Sequence, residues 1–91
     1  MGIKVLVPGV LRRLVNNRAE VELEAGTVSE AIRALEEQSP GLRNKLTDDK
    51  GEIRRFIRLY VNDEDIDKLG GASAALKDGD VLTIVPAAAG G

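Results

Sequence analysis

The segment that most restricts the fold is a single amphipathic helix with strand-like segments on both sides. In GTVSEAIRALEEQSPG, Thr27 followed by Glu30 three residues later is typical of a capping box that begins a helix. One helix can bury an apolar stripe only against another element, so we expect it to pack on a sheet. The stripe consists of Val28, Ala31, Ile32 and Leu35.

Strand patterns flank this helix. Apolar and polar residues alternate over four segments, as in half-buried strands. The expected fold class is α+β, with a mixed sheet of four to five strands and one main helix packed across one face. The segments are IKVLV (3–7), AEVELE (19–24), FIRLYV (56–61) and VLTIV (81–85).

The connections between the strands carry turn residues. Asn16-Asn17 suits a tight turn, because Asn tolerates left-handed backbone angles. We expect the polar segment 47–55 to be an exposed loop, and a short edge strand to start near Ile66. Before the last strand, the expected buried contacts are Leu69, Ala75 and Leu76.

Composition excludes several kinds of chemistry. The 91 residues contain no Cys and no His, which removes thiolate catalysis, nearly all zinc sites and the usual general base at neutral pH. Lys and Arg are scattered along a chain of net charge −2, so we expect no nucleic-acid partner. No apolar run could span a membrane, and no signal peptide is visible, so we expect a cytoplasmic protein. The acidic run VNDEDID lacks the spacing of a calcium loop, and we expect no metal site.

Four segments, taken in order, resemble the ubiquitin-like sulfur carriers of the ThiS/MoaD family. They are IKVLVPGVLRRL, GTVSEAIRALEEQSPGL, YVNDEDI and LKDGDVLTIVPAAAGG. The resemblance covers nearly the whole chain and implies a β-grasp domain over residues 1–86, followed by a flexible C-terminal tail over 87–91. RFIRLYVNDEDI, PAAAGG and the longer loop at 47–55 look most similar to the carriers of cysteine biosynthesis.

The resemblance implies a carrier on which partner enzymes act, and not an enzyme. An ATP-dependent, E1-like activating enzyme would adenylate the C-terminal carboxylate of Gly91, next to Gly90, and sulfur would then replace the adenylate as a thiocarboxylate. The acceptor would be a PLP-dependent cysteine synthase or, alternatively, the large subunit of molybdopterin synthase. The carrier would hold covalent sulfur on its C-terminus and no permanently bound cofactor.

The last residues suit a chain that must enter another protein's active site. Glycine lets the backbone approach a nucleotide closely, and alanines keep the rest of the tail thin. Pro86 cannot donate a ladder hydrogen bond, so we expect it to release the chain from the sheet. The competing interpretation is an inert, frayed terminus.

A docking face follows from alternation in the last strand. If Leu82 and Ile84 face the helix, their neighbours lie on the open face, where apolar residues often mark an interaction site. Arg58 could there pair with an acidic group on the partner. The expected partner-binding residues are Leu6, Phe56, Arg58, Tyr60, Thr83, Val85 and Pro86, with Ala87, Ala88 and Ala89 of the tail.

Three rival functions stay open at this point. The first is a carrier for molybdopterin, thiamine or tRNA thiolation. The second is a ubiquitin-like modifier that forms isopeptide bonds to lysines. The third is an interaction domain with an inert tail. A stand-alone hydrolase has no visible nucleophile–base pair.

Overall fold

The computed structural model describes residues 2–86, in which a five-stranded mixed sheet packs against one α-helix. The spatial order of the strands is β2-β1-β5-β3-β4. The central strands β1 and β5 are parallel, and the other neighbours are antiparallel. The elements are β1 (Ile3–Leu6), β2 (Glu20–Leu23), α1 (Val28–Gln38), β3 (Ile57–Val61), β4 (Glu64–Asp65) and β5 (Val81–Pro86). The predicted α+β architecture is confirmed.

The core lies between the sheet and α1. Alternate residues of the strands are buried, including Val5, Leu59 and Leu82, and their side chains form one apolar cluster with the helix stripe. Burying a side chain of this size contributes roughly 1.5–3 kcal/mol. The four predicted stripe residues of α1 are all buried.

The helix begins as its sequence predicts. The Thr27 hydroxyl accepts a hydrogen bond from the backbone N–H of Glu30 at 3.1 Å. The Glu30 carboxylate reaches back and accepts from the backbone N–H of Gly26 at 2.9 Å. One unpaired N–H of the first helical turn, that of Glu30, and the N–H of Gly26, the residue before the N-cap, are therefore satisfied.

Two turns depend on left-handed backbone. Asn16 and Asn17, before β2, have φ values of 58° and 61°, so the predicted turn is confirmed. Asn62 and Asp63, which join β3 to β4, have φ values of 50° and 77°. Positive φ at both residues matches the twist of a two-residue hairpin.

Some sequence expectations are wrong where long-range contacts determine which residues are buried and where a strand lies. Segment 47–55 is only partly exposed, because the Thr47 side chain is buried and its hydroxyl donates to the Glu36 carboxylate of α1 at 2.6 Å. Leu76 is buried as expected, but Leu69 and Ala75 are exposed, and Ala74 is buried instead of Ala75. The short edge strand β4 precedes Ile66, which starts a turn of 3-10 helix.

The connection from β1 to β2 contains a 3-10 helix, Gly9–Val15, that the alternation pattern did not predict. Val15 anchors it in the core, and Val10 lies 69% exposed. Across residues 2–86, no helix has the length and apolar character that crossing a bilayer requires.

Candidate functional site

The sheet face away from α1 holds a row of predicted docking residues. Leu6 of β1 lies opposite Thr83 of β5, and Thr83 lies opposite Tyr60 of β3. All three are half-buried, whereas Leu82 and Ile84 on the other face are buried in the core. The orientation expected from alternation in β5 is therefore confirmed, and a partner-binding role for this row stays a prediction.

A second part of this face lies nearer the end of β5. Val85 is 39% exposed and lies opposite Arg58. The Arg58 guanidinium is 3.4 Å from the Asp65 carboxylate, so it already has a partner within the chain. An exposed ion pair of this kind stabilises a protein by about 0–1 kcal/mol, so Arg58 could exchange it for a carboxylate on another protein at little cost.

Phe56 lies beside this area but not within a strand. It occupies the turn one residue before β3 and is 44% exposed. The Arg54 guanidinium lies 6.0 Å from the centre of its ring. A cation at this distance from an aromatic face is weakly attracted to it, so the exposed ring and the charge form one surface feature.

Pro86 is the last residue of β5, opposite Ile57 of β3. Pro86 is thus the last strand residue that the structure describes, and the expectation that the chain leaves the sheet there stays a prediction. β1 pairs with β5 only as far as Thr83, so β5 ends beside one neighbour, where a missing N–H is tolerated. The predicted tail residues Ala87, Ala88, Ala89, Gly90 and Gly91 lie outside the described residues.

The start of β5, at the other end of the strand, is clamped by hydrogen bonds. The Asp80 carboxylate accepts from the backbone N–H of Lys77 and from the Asn62 side-chain amide, each at 2.8 Å. These bonds, the one from Lys77 first, lower the pKa of Asp80. The Asn62 side-chain oxygen accepts from the Val81 N–H at 2.9 Å. The arrangement holds β5 in register and has the character of a structural clamp.

A groove of about 600 Å³ runs along α1, between the helix and segment 51–58. Its floor is apolar, with Ile32 and Ile53 among the lining residues, and its rim is charged. The rim guanidinium and carboxylate groups balance in number, so the groove favours neither an anion nor a cation. They belong to Arg33, Arg54, Arg55 and Arg58, and to Glu36, Glu52, Asp65 and Asp67.

Sequence reasoning missed one surface residue. Val10 is the most exposed large apolar side chain among the described residues. It lies beyond the end of β1, outside the alternating segment. The available signal was an apolar residue directly after Pro8-Gly9, where a turn would ordinarily carry polar side chains. In residues 2–86, no three His, Cys, Asp or Glu side chains are grouped so as to hold a metal ion.

Comparison with known proteins matches the chain along its whole length. The model of the ThiS family matches residues 5–91. Sulfur carrier protein CysO of Mycobacterium tuberculosis is 38% identical over 93 residues, covering 100% of both chains. Small archaeal modifier protein 3 of Haloferax volcanii is 35% identical over 65 residues, covering 71% of this chain and 70% of that protein.

A solved structure gives the same result for the fold. A chain of the Amycolatopsis orientalis BexX/CysO complex superposes with a TM-score of 0.89 at 41% identity, covering 99% of this chain and 100% of that chain. The ubiquitin-like β-grasp fold expected from the sequence is confirmed.

Proposed function

The chain belongs to the ThiS family and is a sulfur carrier of the CysO type, and from this premise we propose that Gly91 carries the sulfur as a C-terminal thiocarboxylate. The observation that carries the proposal is the position of β5. This central strand ends at Pro86, five residues before Gly91, beside a sheet face with exposed apolar residues. Support also comes from the family match, which continues through residue 91.

The proposed chemistry starts from the terminal carboxylate, which is a poor electrophile at neutral pH because its pKa is about 3.5. On the activating enzyme, a carboxylate oxygen attacks the α-phosphorus of ATP, and pyrophosphate leaves. Hydrogen sulfide, or its equivalent on a donor, then attacks the acyl carbon. The C–O bond to AMP breaks, AMP takes the electron pair, and a proton is released. The product is a thiocarboxylate, an anionic sulfur nucleophile comparable to a thiolate.

The carrier itself contributes by presenting the thiocarboxylate sulfur to its partners. A chain without Cys or His has no usual general base or thiolate, so the catalytic groups belong to the partners. The sheet holds the base of the tail rigidly, and the six residues from Pro86 to Gly91 can extend at most about 20 Å. The reactive end can therefore enter a narrow channel while the folded body stays outside it.

The acceptor that we propose is a PLP-dependent cysteine synthase. Support comes from the resemblance to the carriers of cysteine biosynthesis and from the identity with CysO over the full chain. The BexX/CysO complex shows that a 41% identical relative assembles with a protein partner. It supports a protein partner for this chain as well.

A second candidate is a protein modifier. The similarity to Small archaeal modifier protein 3 covers 71% of the chain and favours this reading specifically. A modifier would form isopeptide bonds between Gly91 and lysines of other proteins. Conjugates of higher mass in host cells that disappear when Gly91 is deleted would establish this function, and their absence would exclude it.

Deleting Gly91 tests the proposal directly. We expect the variant to fold as the wild type does and to form no thiocarboxylate, because the carboxylate of Gly90 would stop one residue short of the activated phosphate. The measurement is intact mass after incubation with ATP, sulfide and a desalted extract of the native host. Exchange of one oxygen for sulfur raises the mass by about 16 Da, and fragmentation assigns it to Gly91.

A variant with one alanine added after Gly91 is the matched control for tail chemistry. It keeps both glycines and moves the carboxylate outward by about 3.5 Å, so it should be equally inactive. Far-ultraviolet circular dichroism of both variants checks the fold. Full thiocarboxylate formation in either variant would contradict the proposal.

A further inference from the structure

The groove along α1 contains a buried hydrogen-bond donor that is not used within residues 2–86. Arg54 lines the groove, and its Nε is buried without a hydrogen-bond partner. No other buried side-chain nitrogen or oxygen in this range is unpaired. Because a buried N–H without an acceptor destabilises a fold, such groups are rare in folded proteins. The natural partner of this donor is an acceptor from outside residues 2–86.

The floor of the groove suits a thin apolar segment. Ile57 and Leu59 of β3 and Ile32 of α1 line it and are buried, and Ile53 lies half-buried among the lining residues. The volume of about 600 Å³ lies within the range of about 300–1,000 Å³ that is usual for ligand pockets. A few small side chains could therefore cover this floor.

The charges on the rim restrict the occupant further. Arg58 pairs with Asp65 at 3.4 Å, and the Glu36 carboxylate accepts from the Thr47 hydroxyl at 2.6 Å. Both signs of charge remain among the exposed rim groups, which are Arg33, Arg55, Glu52 and Asp67. A polyanion or a polycation would meet like charges here, whereas an uncharged segment that ends in one carboxylate would not. That carboxylate would be the acceptor that Arg54 lacks.

The last residues of the chain have this composition. Residues 87–91 are three alanines and two glycines, and the carboxylate of Gly91 is their only charge. Pro86, just before them, lies opposite Ile57, a groove residue. Opposite residues of paired strands share a face of the sheet, so Pro86 lies on the α1 side, as the groove does.

The groove is also within reach of Pro86. Opposite residues of antiparallel strands have Cα atoms about 5 Å apart, which applies to Pro86 and Ile57. The Ile57 N–H donates to the Arg54 carbonyl at 3.0 Å. This bond closes a turn whose end residues lie within about 7 Å of each other. The Cα of Arg54 is therefore within about 12 Å of Pro86, and five residues can span about 17 Å.

We propose that residues 87–91 fold back along this groove and that the Gly91 carboxylate accepts hydrogen bonds from the Arg54 guanidinium. Arg holds carboxylates through two parallel N–H···O bonds, so Nε and one terminal nitrogen would bind the two oxygens. The alanines would cover the apolar floor beside Ile53. The inference rests on the proposed function only in taking Gly91 as the carboxyl terminus.

Such binding can be weak and still matter, because the tail is tethered to the groove. A short tether gives an effective concentration in the millimolar range, so an intrinsic dissociation constant of about 1 mM leaves the tail bound about half of the time. An activating enzyme takes the tail only when it is free, so its apparent affinity falls in proportion to the free fraction. The groove would then hold the terminus until a partner takes it.

The test observes the Nε–H group of Arg54 by NMR in the whole chain. Isotope-labelled wild type is compared with the same chain bearing a C-terminal carboxamide, which keeps every residue and removes the terminal charge. We expect the Arg54 Nε–H proton to lie downfield in the wild type and to move upfield in the carboxamide, because hydrogen bonds to carboxylates are shorter and stronger. Arg54→Gln removes this signal and so assigns it.

Nuclear Overhauser effects locate the tail independently. We expect cross-peaks from the methyl groups of Ala88 and Ala89 to those of Ile53 in the wild type. Arg54→Gln should weaken them several-fold. Arg43→Gln makes the same change of charge at an exposed arginine outside the groove and should leave them intact.

Each outcome decides for or against the site. An Arg54 signal that is identical in the carboxylate and carboxamide chains, without the cross-peaks, would overturn it and show that solvent satisfies the donor. The sulfur-carrier chemistry would still stand, because no partner enzyme takes part in the measurement. Cross-peaks that disappear on dilution would overturn an intramolecular site in favour of the tail of a second copy. Cross-peaks on a chain that forms no thiocarboxylate would support the groove site and contradict the proposed function.

Discussion

At the scale of single residues, Asn62 shows how one side chain can hold two strands together. Its amide donates to Asp80 and accepts from Val81, while its backbone has a φ of 50°. We expect Asn62→Gly, which keeps the left-handed conformation, to lower the free energy of unfolding by about 1–2 kcal/mol, because both side-chain hydrogen bonds are lost. Equilibrium urea unfolding measures this change.

Asp63→Gly is the control for this prediction. Asp63 is the other residue of the same turn, with a φ of 77° and no side-chain hydrogen bond in the described chain. We expect it to be neutral or more stable than the wild type, since glycine removes the cost of a left-handed residue. Equal destabilisation by the two substitutions would show that turn flexibility, and not the clamp, is responsible.

The pH dependence of the Asn62 variant follows from Asp80. The folded-state pKa of Asp80 is lowered from 3.8, so its charged form stabilises the fold above that pH. This stabilisation is lost as the pH falls through the lowered folded-state pKa. Because Asn62 contributes to the lowering, the stability difference between wild type and Asn62→Gly should shrink on acidification below about pH 4.

Only part of this residue-scale structure could be predicted. The turn at Asn16-Asn17 is visible in the sequence, because the residue type itself tolerates the backbone angle. The clamp formed by Asn62 is not visible in the same way. Its partners Asp80 and Val81 lie 18 and 19 residues away and reach it only through the pairing of β3 with β5.

At the scale of elements, the N-terminus of α1 offers a clean test of the capping box. We expect Thr27→Ala to lower the free energy of unfolding by about 1 kcal/mol, because the Glu30 N–H then loses the acceptor 3.1 Å away. Thr27→Ser keeps the hydroxyl and should retain most of the stability. Chemical denaturation of both variants measures the difference, and an alanine variant as stable as the serine variant would show that the hydroxyl contributes nothing.

Elements with local signals were predicted well. The helix and the four main strands follow from periodicity, because their buried residues recur at a fixed spacing. Segment 47–55 looked like a polar loop, and no local pattern reveals that Thr47 bonds to Glu36, eleven residues earlier. The pairing of Pro86 with Ile57 likewise depends on the register between β3 and β5, which no local pattern reveals.

At the scale of the whole molecule, strand direction determines which separate segments lie at the same end of the sheet. The docking face could be predicted from alternation within single strands. The placement of the β1–β2 connection and the turn before β3 at one end of the sheet could not be predicted in this way, because it arises only when β1 and β5 are parallel and β3 is reversed.

The folded body can place Gly91 at the reacting centre of the activating enzyme only if the tail has the right length. Deleting Ala88 and Ala89 retains Gly90 and Gly91 but shortens the tail by about 7 Å. We expect thiocarboxylate formation to fall by about 100-fold or more, because a displacement of even 1 Å at a reacting centre can cost about that factor. The body should be unaffected, and the initial rate by intact mass measures the loss.

Replacing Ala88 and Ala89 by serine is the length-matched control, and we expect it to keep most of the wild-type rate, since serine is nearly as small as alanine. If the shortened tail reacted as fast as the serine variant, the activating enzyme would have to accept the carboxylate several ångströms closer to the sheet. The reaction would then not require a fixed distance between Pro86 and Gly91. Docking of a rigid body at the mouth of the channel could therefore not be what positions Gly91. Loss of activity in the shortened variant alone would instead show that the partner holds the folded body at a fixed place, because only then does the length of the tail matter.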